Sequence, residues 1–172
     1  MRQQTAAKRI RERPLRLRGF LEYQLRDART GEIVRKGKSK NVVTAVGRSW
    51  ALKQVVAAPG AATQILSWMM LGTDAAATAS NSSQLGAYFS IINSTRATTA
   101  STTATNSACT FTLAASWASN ETHASSTSIS EFALLNSSTT SGTMTMFNRV
   151  TTGTPINFQS TNTLAVTITI TN

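Results

Sequence analysis

At 172 residues the chain can build one domain with a real core and is too short to expect two. Charged residues make up 14% and hydrophobic ones 41%, and no apolar run approaches the roughly 20 residues that a membrane-spanning helix needs. The net charge of +10 is concentrated at the front: residues 1–53 hold 15 Lys/Arg against four acids, and residues 54–172 hold two against three. Cys109 is the only cysteine, so an intrachain disulfide is excluded. The basic N-terminus lacks a following apolar stretch, which argues against a secretory signal.

Residues 1–18 carry Arg2, Lys8, Arg9, Arg11, Arg13, Arg16 and Arg18, opposed only by Glu12. Pro14 interrupts any continuous helix, and so few apolar groups cannot offset the entropy of ordering, so an extended arm is expected. Such an arm suits docking on an acidic protein groove. Phosphate binding is the alternative, but no aromatic residue sits among the arginines to stack on bases.

Residues 19–40 read as a hairpin. Leu21, Tyr23 and Leu25 alternate with Glu22, Gln24 and Arg26, and Asp27-Ala28-Arg29-Thr30-Gly31 has the composition of a turn. The return strand becomes basic through Arg35, Lys36, Lys38 and Lys40, a second candidate partner-binding group. Lysines on a strand also discourage edge-to-edge pairing.

Residues 44–57 form the one helix candidate, with Thr44 as N-cap, Val46, Trp50 and Lys53 at helical spacing, and Pro59-Gly60 as the stop. Trp50 reads as a core anchor.

The remainder reads as strands. Residues 65–71 and 85–93 are apolar runs, and a Ser/Thr/Ala stretch over 94–106 has the composition of a loop. Residues 109–117 put Cys109, Phe111, Leu113, Ala115 and Trp117 on one face, where the thiol is expected to be buried and inert. Residues 128–136 suggest a strand buried on both sides towards its end. Residues 143–151 form another strand, with a break expected at 152–155. In residues 163–171, Leu164, Val166, Ile168 and Ile170 share one face while Thr163, Thr167, Thr169 and Thr171 share the other, the pattern of a half-buried strand.

About eight strands joined by Ser/Thr/Gly turns imply an all-β protein, an antiparallel β-sandwich of jelly-roll or Ig-like type, with one short helix and a basic N-terminal arm. The expected organisation is an arm, 1–18, followed by a single domain, 19–172.

Catalytic chemistry is poorly supplied. His123 is the only histidine and sits in a Ser/Thr-rich loop without a nucleophile motif. The donor inventory does not support a zinc site, Glu121 and Glu131 have no defined separation, and no glycine-rich phosphate loop occurs. The sequence points to no catalytic residue, no cofactor and no metal.

Several motifs occur in a definite order: Lys40-Asn41-Val42-Val43-Thr44-Ala45-Val46-Gly47 before the helix, Met70-Leu71-Gly72-Thr73-Asp74, Leu85-Gly86, Ile129-Ser130-Glu131-Phe132-Ala133-Leu134-Leu135-Asn136, and the Thr-rich final strand. This order resembles the small β-sandwich virion proteins of tailed bacteriophages, found as capsid decoration (cement) proteins or as neck, tail and fibre components. The resemblance covers roughly residues 19–172. It implies a non-enzymatic structural protein of the virion, made in the host cytoplasm, with the major capsid protein or other virion proteins as partners. Decoration of the shell, with the basic arm on its acidic surface, is the favoured expectation. A neck, tail or fibre role and nucleic-acid binding through the arm are the alternatives. Self-association as a dimer or trimer is also expected.

Overall fold

The computed structural model describes residues 17–56, 66–73, 75, 95–104, 109–119, 126–136 and 146–171. The elements run β1 (Arg18–Asp27), β2 (Ile33–Val43), α1 (Ala45–Val56), β3 (Trp68–Gly72), β4 (Thr95–Ala97), β5 (Thr99–Ala104), β6 (Cys109–Trp117), β7 (Ser126–Leu135), β8 (Met146–Gln159) and β9 (Asn162–Thr171). Among the described residues every paired neighbour is antiparallel, and the nine strands follow the order β4-β3-β7-β8-β2-β1-β9-β6-β5.

The two ends of that order are consecutive in the chain. Only Thr98 separates β4 from β5, its N–H donating to the Ser67 carbonyl at 2.8 Å, and β4 also approaches β6. The sheet therefore curls until its two edges meet through one bent segment and is nearly closed. This corrects the loop expected over 94–106. Alternating Thr, Ser and Ala offer little hydropathy contrast, so these strands are fixed by their partners rather than by their own pattern.

β9 is the spine of one half. It pairs along its whole length with β1 on one side and from Leu164 to Thr171 with β6 on the other. Leu164, Val166, Ile168 and Ile170 are fully buried beside Leu21, Tyr23 and Leu25 of β1 and Leu113, Ala115 and Trp117 of β6. From the other half the same core receives Met69 and Leu71 of β3, Ile129, Phe132 and Leu134 of β7, and Phe147, Val150, Ile156 and Phe158 of β8. Burying a Leu, Ile or Phe side chain contributes roughly 1.5–3 kcal/mol, so this one continuous core is the main source of stability. The end of β7 is buried on both faces as expected, with Ala133 and Leu135 joining Met70, Met146 and half-buried Trp68 in a second cluster.

β8 does not break at 152–155. Ile129 opposes Ile156 and Glu131 opposes Thr151, so residues 152–155 form an insertion in β8 across from Ser130. Pro155, which cannot donate to a ladder, is accommodated in this bulge.

The helix starts as its sequence indicates. The Thr44 hydroxyl accepts the Gly47 N–H at 2.9 Å and donates to the Met146 carbonyl at 2.8 Å, so one side chain caps α1 and ties it to β8. Val46 is exposed rather than turned inward. Gly47 and Ala51, one turn apart, meet the sheet instead, and a Cβ on Gly47 would collide with the Phe147 carbonyl. Close backbone approach at Gly47, with Ala51 beside it, seats the described part of this helix. The side chains of Trp50, Lys53 and Cys109 lie outside the described residues, as do the strand expected at 85–93, Glu121 and His123.

Candidate interaction surface

The β1–β2 hairpin is built from its turn outward. Asp27 Oδ1 accepts the N–H groups of Thr30 at 2.8 Å and Arg29 at 2.9 Å, and Gly31 takes a φ of 73° that L side chains rarely adopt. These hydrogen bonds, Thr30 first and Arg29 second, hold the Asp27 carboxyl below its ordinary range. The Ala28 N–H donates to the Thr161 carbonyl at 2.8 Å, fixing the tip against the β8–β9 turn.

From this turn the ladder sets which face each basic residue takes. Lys36 opposes Gln24, Lys38 opposes Glu22 and Lys40 opposes Phe20, so all three lysines stand on the outer face. They are exposed. Lys38 Nζ lies 3.1 Å from Glu22 Oε1 and 3.5 Å from the centre of the Phe20 ring. Both members of that ion pair are more than half exposed, so its contribution is at most about 1 kcal/mol. Among the described residues Glu22 is the only carboxylate paired with these lysines.

Arg35 belongs elsewhere. It opposes Leu25, on the other face, and its guanidinium donates to the carbonyls of Pro155 at 2.6 Å and Thr154 at 3.3 Å while lying 5.9 Å from the centre of the Tyr23 ring. It bridges β2 to the bulge of β8. The basic group expected on the hairpin therefore divides into three outward lysines and one arginine that ties strands together.

Arg18 is the first residue of β1 rather than part of the arm, and it is exposed, opposite Thr171. Arg2, Lys8, Arg9, Arg11, Arg13 and Arg16 lie outside the described residues. The chain enters β1 two residues before Phe20, the partner of Lys40. The arm thus joins the sheet at the Lys40 end of the lysine row.

Beyond the lysines the same outer face is small and hydroxylated. Thr169 and Thr112 follow Phe20 across the ladder, and Thr167 and Ala114 follow Glu22. The Thr112 and Thr169 hydroxyls lie 3.5 Å apart. Between β1 and β2 a shallow depression is lined by Glu22, Tyr23, Gln24, Lys36, Gly37 and Lys38. This geometry suits contact with another surface more than enclosure of a small molecule.

Glu131, for which the sequence defines no separation from Glu121, is fully buried against Arg149. Its Oε2 accepts from Arg149 Nε at 2.8 Å and from Arg149 Nη2 at 2.7 Å, across the β7–β8 ladder. No local pattern joins two residues 18 positions apart across an irregular ladder. No helix among the described residues is long and apolar enough to cross a membrane, and no cluster of three or more His, Cys, Asp or Glu residues suited to a metal occurs among them.

No protein-family model, curated protein or solved structure matches the chain.

Proposed function

We propose that this chain is a non-enzymatic structural protein of a bacteriophage virion, a decoration protein whose basic arm and hairpin dock on the acidic surface of the capsid shell. On this reading the curled sheet is a flattened β-sandwich, with β2, β1, β9, β6 and β5 as one layer and β4, β3, β7 and β8 as the other. The observation that carries the proposal is the continuity of positive charge. The arm, with six Lys/Arg before residue 17, enters β1 at Arg18 and leads onto the outward row of Lys40, Lys38 and Lys36.

A row of cations on a well-packed sheet, extended by a basic segment, attracts an acidic partner over a Debye length and then wraps it. Ordering the arm on contact costs conformational entropy but covers a large area. The core beneath the hairpin keeps the lysine row in register, so recognition does not require the sheet to rearrange.

Deleting residues 1–16, which spares β1, tests this reading. The truncated chain is expected to keep its β-rich circular dichroism and lose binding to purified shells. Binding as tight as that of the full chain contradicts the role given to the arm. A copy number of hundreds per particle agrees with decoration, whereas about a dozen or fewer, by the symmetry of such assemblies, indicates a neck or fibre.

A further inference from the structure

The hairpin carries a second feature that charge alone does not describe. Among the described residues, β2 pairs along 33–41 with β1 on one side only, and its ladder pairing with β8 on the other side is confined to Val42 and Val43. Among the described residues, no backbone group hydrogen-bonds to that second side from Ile33 to Asn41. The strand is also open to solvent, with Val34 59% exposed and Lys36, Lys38 and Lys40 outward. A row of unpaired N–H and C=O groups is a template for another strand.

We propose that this edge of β2 receives an extended acidic segment of a partner protein as an added strand; the proposal rests on the acidic-partner reading above and specifies how the partner is held. The spacing of the cations selects the occupant. Lys36, Lys38 and Lys40 occupy alternate positions on one face, and alternate residues of a strand lie roughly 6.8 Å apart. An added strand turns its own alternate side chains to the same face. Carboxylates at every second position therefore meet the lysines as cross-strand pairs, the kind of opposite-charge pairing that stabilises a ladder.

The same rule disfavours other occupants. A second copy of β2 would set lysine against lysine, and the chain's own arm would bring arginine and lysine to the same row. The intervening residues of the partner strand lie on the side of Arg35, Gly37 and Ser39, where Arg35 already spans to β8. Small neutral side chains fit there.

The test uses the full chain and three synthetic peptides of one composition: Glu alternating with Thr, the same residues with all Glu in one block, and the alternating peptide N-methylated along its backbone. The alternating peptide is expected to bind at least ten-fold more tightly than the other two and to slow amide hydrogen exchange within residues 33–41. The double variant Lys36→Glu, Lys40→Glu is expected to lose that binding while melting at an unchanged temperature. Equal binding of the blocked or N-methylated peptide overturns strand addition and leaves the acidic-partner reading standing. Binding of none of the peptides overturns both.

Discussion

Gly72 lies directly across the β3–β7 ladder from Glu131, and the Glu131 carboxyl group occupies the space where a side chain at residue 72 would be. The absent side chain makes room for a buried carboxylate, and Arg149, reaching across from β8, neutralises it. One ion pair with side-chain exposures of 0% and 6% thereby joins β7 to β8 in the space that β3 leaves at Gly72. A buried pair of this kind adds little net stability over well-packed apolar groups, but removing one partner strands the other.

Glu131→Ala is accordingly expected to cost about 3–5 kcal/mol, because it removes the buried carboxylate that Arg149 engages through both Nε and Nη2. Replacing both residues together, Glu131→Leu with Arg149→Met, is expected to recover much of that loss. Urea unfolding of the three variants measures it, and additive losses in the double variant would contradict the pairing.

Gly72→Ala acts on the same pair from the opposite strand. Its Cβ would meet the Glu131 carboxyl group and push it off Arg149. The expected loss is about 1–3 kcal/mol, and it should shrink when Glu131 is already Ala. A double-mutant cycle in urea reads the coupling directly.

Gly47→Ala is expected to destabilise by about 3 kcal/mol or more, although alanine is the better helix former in isolation. The added methyl collides with the backbone carbonyl of Phe147, which cannot rotate away as a side chain can. Thr44→Ala should cost about 1–2 kcal/mol through loss of the cap. Thermal melts of both variants decide whether α1 is seated by backbone contact.

The turn supplies a pH dependence of known sign. Asp27 titrates below its ordinary range in the folded chain, so its contribution to stability is fully present above the unfolded value of about 4 and is lost as pH falls through the lowered folded value. Asp27 is only partly buried, and the effect is correspondingly small. Asp27→Ala should remove this part of the acid sensitivity, so that the stabilities of the variant and the parent chain converge below the folded value. Urea midpoints at neutral and strongly acidic pH test it.

The parts of the fold that are legible in sequence are those where one face is buried and the other is not. β9 announces itself because Leu164, Val166, Ile168 and Ile170 alternate with threonines and one alanine, and β6 does so through Phe111, Leu113, Ala115 and Trp117. The hairpin turn is equally readable, since Asp27 and Gly31 each supply a distinct backbone requirement. β5 is not, because Thr99 to Ala104 are all small and carry too little contrast to show a period of two.

The candidate surface is half legible. Grouping Arg35 with the lysines follows charge and passes over alternation, which places residues 35 and 36 on opposite faces of any strand. That Arg35 reaches the carbonyls of Thr154 and Pro155 depends on the β8 bulge, which no local pattern announces. The seating of α1 escapes sequence reading for a related reason. Apolar spacing favours Val46, whereas the space available at the sheet admits only the neighbouring glycine.

Zero-length carbodiimide cross-linking of the full chain to purified shells, with the joined residues mapped by mass spectrometry, tests most directly whether this face meets an acidic partner. The account predicts links from Lys36, Lys38, Lys40 and Lys8 to Asp and Glu of the shell protein, suppressed at high salt. Shell binding that persists without any such link, or links confined to Lys53, would contradict it.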